Sequence, residues 1–368
     1  MKLCFIAAAS AVHTQRWVHY FINQGDEVHL ISPVPLRNTV SDGIELYVLK
    51  TFPLRIGIIH YVINLLLGII EVRILLKKIH PDIVHARYVT DCGLLAAFSG
   101  FHPCILRPMG SDIFIDAKRN PILKAFIRRA LKKADWVICN SQGLKKGVME
   151  LGVEESKISI IYDGVDTRQF SPQKRDEGLK NNLGISGAPT VISVRNLRPI
   201  YNVETLIKAI PLVVKEMPDA RFIIGGDGDQ TKYLQGLVSS LGISSAVRFT
   251  GWIQHDELPR YLASSDVYVT TSLSDSNSIS LQEAMASGLA PVVTDIPANH
   301  EFLTHGENAF LIPVGDFEGL AERIIYLLKN KAARDLFGKA CRQLIMERSE
   351  HKKEMGKITE IYQELTGK

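Results

Sequence analysis

V-Y-V-T-T-S-L-S-D-S-N-S-I-S-L-Q-E-A-M-A-S-G-L-A-P-V-V-T-D-I-P-A-N-H-E, residues Val267 to Glu301, is the stretch that decides the architecture. A β-rich run, Val267 to Thr271, gives way to small polar residues, Ser272 to Ser280. A helix-forming run from Leu281 to Ser287 then stops at Gly288, and a second apolar run follows at Pro291 to Thr294. The order is strand, loop, helix, strand. In a parallel α/β sheet, ligands bind at the loop leaving the carboxyl end of a strand, where free N–H groups and the helix dipole meet. The nine residues from Asp275 to Glu283 therefore set one carboxylate in the loop and another in the helix's first turn, around backbone amides suited to a phosphate.

Both acids also admit plainer roles. Ser280-x-x-Glu283 spells a capping box, and Asp275 suits a turn. Around them, Ala284-Met285-Ala286, Gly288 and Pro291-Val292-Val293 fall in a fixed order. That order resembles the retaining glycosyltransferases of GT-B fold, the group 1 glycosyl transferases. Their signature is Glu, seven residues, Glu, then Ala-Met-Ala, Gly and Pro-Val-Val. Asp275 stands here for the first acid, and Ser278 where a Gly is usual.

At 368 residues the chain exceeds one ordinary core, so two domains are expected. Hydrophobic content of 46% and charged content of 22% suit a globular protein. The five cysteines, Cys4, Cys92, Cys104, Cys139 and Cys341, lack metal-ligand spacing and read as reduced thiols in a cytoplasmic protein. The amino terminus reads as a first strand rather than a short signal peptide. The apolar stretch Ile56 to Ile70 contains His60 and Asn64, ends at Glu71, and falls short of the roughly 18–20 residues of a membrane span, so it reads as a buried or interfacial helix. Met1 to Pro172 carries 21 Lys and Arg against 15 Asp and Glu, and the remainder 22 against 24. Much of the basic surplus sits in Ala117 to Asp135, read as one amphipathic helix with Ile122, Ala125, Phe126, Ala130 and Leu131 inward and Lys118, Arg119, Lys124, Arg128, Arg129, Lys132 and Lys133 outward. Such a helix suits an anionic membrane surface on the inner face of the cell membrane, or simply a solvated face. No nucleic-acid partner is expected.

The amino half alternates β-rich and helical runs, which means parallel strands with crossover helices. Lys157 to Pro172 resembles the family's interdomain linker, departing only at Asp163, and Gln173 to Pro189 reads as linker leading into the second domain. The expected fold is α/β, GT-B, two Rossmann-like doubly wound domains facing across a cleft. Residues 1–172 form the acceptor-binding domain and 173–368 the nucleotide-sugar domain, with a helix over about 350–368 packing back on the first. The loop after the first strand ends in His13, an acceptor-side hydrogen-bonding group or a surface histidine. Arg107-Pro-Met-Gly-Ser-Asp-Ile113 resembles the family's His-Gly-x-Asp, with Gly110 and Asp112 retained on the acceptor side and Met109 where His is usual.

In the second half the resemblance implies that Arg195 grips a diphosphate, an Arg's planar fork donating to two oxygens at once. The partner Lys of the family is replaced by Tyr201-Asn202, with Arg198 as substitute. Gly226 and Gly228 permit a tight turn near the nucleotide. Asp227-Gly228-Asp229 has the look of a metal-binding Asp-x-Asp but sits between strand and helix, so no metal is expected. Trp252 and Ile253 lie where relatives hold the base. Glu283 would accept from the ribose hydroxyls, Asp275 with Ser276, Asn277 and Ser278 would fix the sugar, and the amides of Ser278, Ile279 and Ser280 would stabilise the departing diphosphate. The implied reaction is retaining hexosyl transfer from a nucleotide-diphosphate sugar to a hydroxyl of a glycan or lipid-linked acceptor, with no protein base and no cofactor. A nucleotide-sugar epimerase of the same fold and a non-catalytic sugar-nucleotide scaffold are the other readings.

Overall fold

Runs of β-branched and apolar residues flanked by helical runs form strands that, away from the sheet edges, are buried on both faces, the condition for all-parallel sheets. The computed structural model describes residues 1–34, 43–50 and 58–368, the side chains of residues 12, 13, 58 and 59 excepted. The chain divides into two compact units, Met1–Asp163 with Lys353–Lys368, and Gly164–Lys352.

The first unit runs β1 (Lys2–Ile6), α1 (Val12–Asn23), β2 (Glu27–Ser32), β3 (Ile44–Val48), α2 (Ile58–Ile79), β4 (Ile83–Arg87), α3 (Leu94–Ser99), β5 (Cys104–Arg107), α4 (Ala117–Arg119), α5 (Pro121–Lys133), β6 (Trp136–Cys139), α6 (Gln142–Glu150) and β7 (Ile158–Ile160). Its strands lie in the order β3-β2-β1-β4-β5-β6-β7, and every pairing is parallel. The order reverses at β1 and β4, where such sheets open a crevice at their carboxyl ends. One core packs α2, α3, α5 and α6 on one face of the sheet. The other packs α1 with Met355, Ile358, Ile361 and Tyr362 of the carboxyl-terminal segment.

The second unit carries α7 (Glu177–Asn182), β8 (Thr190–Val194), α8 (Val203–Glu216), β9 (Arg221–Gly225), α9 (Thr231–Ser240), β10 (Val247–Gly251), α10 (Leu258–Ala263), β11 (Val267–Thr270), α11 (Ile279–Ala286), β12 (Ala290–Thr294), β13 (Phe310–Ile312), α12 (Phe317–Lys329) and α13 (Lys331–Arg348). The helix α14 (His351–Thr366) closes the chain. The second sheet has the order β10-β9-β8-β11-β12-β13, also parallel throughout, and reverses at β8 and β11.

Three segments differ from the sequence reading. The passage between units falls at Asp163–Gly164 rather than at Pro172, because Ile158–Ile160 is the last strand of the first sheet. Gln173 to Pro189 is no linker: it holds α7, and Leu179 and Ile185 are buried. The basic segment is two helices, since Asn120 is extended and its Oδ1 accepts from Ile122 N at 2.8 Å to cap α5 afresh, with Pro121 in the first turn. The inward face of α5 is Ile127, Ala130 and Leu131, with Leu123 and Phe126 partly covered, while Ile122 and Ala125 lie outside.

Candidate functional site

Arg195 leaves the end of β8 and Asp275 follows β11, so the two strands at the second sheet's reversal point bring them together. Arg195 Nη2 donates to Asp275 Oδ2 at 2.6 Å, and Nη1 donates to Ser278 Oγ at 2.6 Å and Ser280 Oγ at 3.1 Å. The pair is nearly dry, with side-chain exposures of 10% and 17%. Burial works against the guanidinium's charge, but Asp275, Tyr268 and Tyr201 outweigh it and hold the pKa above its usual value. The Tyr201 ring, standing where the family has Lys, lies under the guanidinium at 4.1 Å. That contact fixes the plane of the fork by cation–π attraction. Among the described residues, Arg195 Nε is buried with no hydrogen-bond partner. Arg198, the expected substitute for the missing Lys, is exposed.

Two loops are locked behind Arg195. Gly226 has φ +124, and a Cβ there would stand 2.0 Å from Arg195 O; one at Gly228 would stand 2.2 Å from Leu197 O. Both glycines are therefore demanded by the path of residues 195–197. Asp227 is spent on its own turn, accepting from Gly228 N at 2.8 Å and Thr231 Oγ1 at 2.6 Å. Among the described residues, no three His, Cys, Asp or Glu side chains converge as a metal-holding group. Asn202 takes φ +46, a conformation Asn tolerates better than most side chains. Its carbonyl accepts from Thr271 Oγ1 at 2.7 Å, tying the loops after β8 and β11.

Helix α11 begins at Ile279 and is capped by Ser278, whose Oγ accepts from Leu281 N at 3.3 Å. Ser280 lies inside the helix, so the Ser280–Glu283 capping box does not form. Ser280 Oγ instead meets Tyr268 OH at 2.9 Å, and burial lifts the Tyr268 phenol to about 12. The Ile279 and Ser280 amides belong to the first turn, where no carbonyl of the helix reaches them. The Ser276 amide is not available to a ligand in this arrangement: it donates to Asp275 Oδ1 at 2.8 Å. Asn277 Oδ1 accepts from Gln282 Nε2 at 2.5 Å. Glu283 is buried and pairs through Oε1 with His255 Nε2 at 3.1 Å; His255 packs edge-on against Phe170. His255 was not singled out from sequence, since a lone His in a loop carries no spacing signal. Trp252 is exposed at 59%, and the neighbouring Ile253 side chain sits against Gly225.

In the first unit the loop after β1 and the turn after β4 line a cavity of about 310 Å³ with Ala7, Ala8, Ala11, Arg87, Tyr88 and Met109 on its walls. Arg87 and Arg107 both reach Asp163 Oδ1, at 3.3 and 3.1 Å, and both guanidinium carbons lie over the Trp17 ring, at 4.6 and 4.3 Å. The acid at 163 therefore answers two buried cations. Burial is the main reason that the Arg87 pKa falls to about 10. Gly110 and Asp112 play a different part from the one expected. The Asp112 carboxylate is wholly buried and accepts from Val89 N, Met109 N, Gly110 N and Ile113 N at 2.8 to 3.2 Å. Burial raises it to about 6 against the pull of these amides. It holds the Met109 loop against the turn after β4, and Gly110, at φ +110, makes the bend. His13 lies in the first turn of α1, and its side chain is outside the described residues.

Residues 175–344 match the family described as glycosyl transferases group 1, and residues 2–141 match glycosyl transferase 4-like. The chain is 30% identical over 288 residues to the N-acetyl-alpha-D-glucosaminyl L-malate synthase of Bacillus anthracis, covering 76% of this chain and 74% of the relative. It is 26% identical over 342 residues to the UDP-Gal:alpha-D-GlcNAc-diphosphoundecaprenol alpha-1,3-galactosyltransferase of Escherichia coli, covering 89% and 86%. Among solved structures, Anabaena HepE in complex with UDP superposes with a TM-score of 0.81 at 19% identity, over 99% of this chain and 100% of that one. The sucrose-phosphate synthase of Thermosynechococcus elongatus gives a TM-score of 0.81 at 17% identity, over 100% of both chains.

Proposed function

The chain belongs to the group 1 glycosyl transferases and is a glycosyltransferase of GT-B fold, and from this we propose that its second unit holds a nucleotide-diphosphate sugar by Arg195, Asp275 and Glu283 while its first unit reads a hydroxyl acceptor. The observation that carries the proposal is the Arg195 guanidinium, anchored at 2.6 Å to Asp275 beside the first turn of α11. There one fixed cation and the Ile279 and Ser280 amides offer a diphosphate the donors it needs. Glu283, kept in place by His255, would accept from ribose hydroxyls. Asp275 would exchange part of its bond to Arg195 for the hydroxyls of the sugar.

In the proposed reaction the bond between the anomeric carbon and the diphosphate oxygen breaks first, and Arg195 with the α11 amides takes up the developing charge. An acceptor hydroxyl then bonds to the anomeric carbon from the face the diphosphate leaves, and its proton passes to the departing phosphate oxygen. Configuration is retained, and neither a protein base nor a metal is required. Met109, where a His is usual, is compatible with that route. Retention is supported by family membership, and a UDP donor by the UDP-bound solved relative and the UDP-Gal-dependent E. coli enzyme. The lipid-linked acceptor of the latter supports an envelope glycan here, read by the cavity beside Arg87 and Tyr88. The exposed cations of α4 and α5 support a peripheral place on an anionic membrane surface, and no helix among the described residues is long and apolar enough to cross one. The epimerase and scaffold readings are not favoured by these likenesses.

The test is a panel of UDP- and GDP-sugars, first in thermal shift and then with radiolabelled donor and a membrane extract. Labelled glycolipid is the expected product. An interconverted free nucleotide sugar, or binding without turnover, would overturn the assignment.

A further inference from the structure

The 22-residue helix α2 buries Leu65, Val72, Leu76 and Ile79 against the first sheet. Its opposite side is equally apolar: Ile63, Leu66, Leu67, Ile70 and Ile74 are exposed at 51, 56, 46, 54 and 63%. At 100° per residue these five fall within about a third of the helix circumference, a continuous ridge rather than scattered exposure. Water-facing helix surfaces are ordinarily polar, and a contiguous apolar ridge on a folded chain marks a place where something else sits.

Charge identifies the occupant. Helices α2, α3 and α5 lie on the same face of the sheet, sharing one core. Arg73 of α2 donates to Ser99 O at 2.8 Å at the end of α3, and Phe98 of α3 meets Phe126 of α5 edge-on at 6.2 Å. Beyond this bridge α4 and α5 expose only cations among their charged groups, and α2 itself ends in exposed Lys77 and Lys78. The one acid of α2, Glu71, is turned to Lys50 N at 3.0 Å. A two-fold pairing of this layer with a second copy would bring like charges together, and the ridge lacks the Trp, Tyr and Arg that anchor protein contacts. An anionic bilayer meets both features at once: acyl chains take the ridge and headgroups take the cations.

We propose that α2 is an interfacial membrane helix: its Ile63–Ile74 ridge enters the acyl boundary of an anionic bilayer while the cations of α4, α5 and the α2 terminus hold the headgroups. This rests on the membrane-surface reading above and adds insertion to it. Helix α2 lies along the surface, one side on the sheet and the other in lipid.

The experiment is flotation of the full chain with vesicles of phosphatidylcholine alone or mixed equally with phosphatidylglycerol, at low and high salt. The expected result is binding to the anionic vesicles that high salt weakens but does not abolish. Leu66→Gln with Ile70→Gln should cut vesicle affinity by about tenfold per residue while leaving the UDP thermal shift unchanged. In Ile70→Trp, tryptophan emission should shift to the blue with vesicles and be quenched by brominated acyl chains. If the double variant floats like the parent while Arg128→Glu with Arg129→Glu abolishes flotation, α5 binds alone and insertion is wrong. A salt-stable dimer that the double variant splits, with no flotation, would assign the ridge to a second copy. A monomer that never floats sinks both the insertion and the membrane reading, whereas loss of the UDP shift alone would strike the donor site and leave the membrane inference standing.

Discussion

Replacing Arg195 by Ala separates structure from function at the site. The guanidinium is tied to Asp275 at 2.6 Å and to Ser278 at 2.6 Å and lies over Tyr201 at 4.1 Å. Removing it leaves a carboxylate with 17% exposure whose remaining strong contact is the Ser276 amide. A fully buried pair broken in this way costs about 3–5 kcal/mol, and the residual solvent at Asp275 brings that to about 2–3 kcal/mol. For a unit of this size that is a fall in Tm of roughly 5–10 °C. The double variant Arg195→Ala with Asp275→Ala should recover most of the loss, because no uncompensated charge remains. Nucleotide binding should respond differently. Two charge-assisted hydrogen bonds of about 1.5–3 kcal/mol each make a loss of a hundredfold or more in both variants. With UDP at about 100 times the parent's Kd, ligand stabilisation is about 2.7 kcal/mol, and a hundredfold weaker Kd leaves about 0.4. Urea unfolding with and without UDP reads both quantities. A single variant that keeps the full UDP effect, or a double variant that regains it along with stability, would refute Arg195 as the diphosphate ligand.

Gly226→Ala would drive its Cβ to 2.0 Å from Arg195 O; the expected loss is more than about 3 kcal/mol in urea unfolding. Gly236→Ala, in α9 with open space around it, should instead stabilise by about 0.5–1 kcal/mol. Glu283→Ala should erase any preference for UDP over 2′-deoxy-UDP in the thermal shift, and His255→Ala should weaken UDP less than tenfold, because it positions Glu283 through one 3.1 Å contact. Stability should also fall with acid. Burial, with Arg107 and Arg87 nearby, depresses the pKa of His85, whose Nδ1 meets Tyr362 OH at 2.6 Å, so the unfolded chain takes up the proton first. The loss sets in below about pH 6.5 at up to 1.4 kcal/mol per unit. Asp112, raised to about 6, works the other way once the pH falls below that value, so the loss attributable to His85 is cleanest between about pH 7 and 6. Denaturant titrations across that window should show a flatter dependence in His85→Phe.

The residues that were legible in advance are those whose role is local. Gly226 and Gly228 follow a strand and open a helix, and a turn there needs glycine whatever lies around it. Ser278 in place of Gly costs nothing, since its φ is −78 and its hydroxyl caps α11. The structural part of Asp112 was not legible, because a motif match in a loop says nothing about whether the acid's oxygens are taken; four backbone amides surround it. His255 and Tyr201 were missed as partners because they meet Glu283 and Arg195 across 28 and 6 positions that no periodicity links. The linker reading of residues 173–189 failed for a related reason: polar, glycine-containing sequence can still bury a Leu179 and an Ile185 at spaced positions.

Alternating strand and helix runs by themselves determined two parallel α/β sheets, because a strand buried on both faces must be apolar throughout and its crossover helix amphipathic. They also made the loops at the carboxyl ends of such strands, those after Val194 and Thr270 among them, the expected place for a ligand. Only the tertiary structure decided that Arg195 meets Asp275, 80 positions away, and that the apolar ridge of α2 is left uncovered. Sequence spacing reports which faces of an element are apolar. Whether another element covers a face, or a charge finds its counterpart, depends on packing between segments that the spacing does not encode.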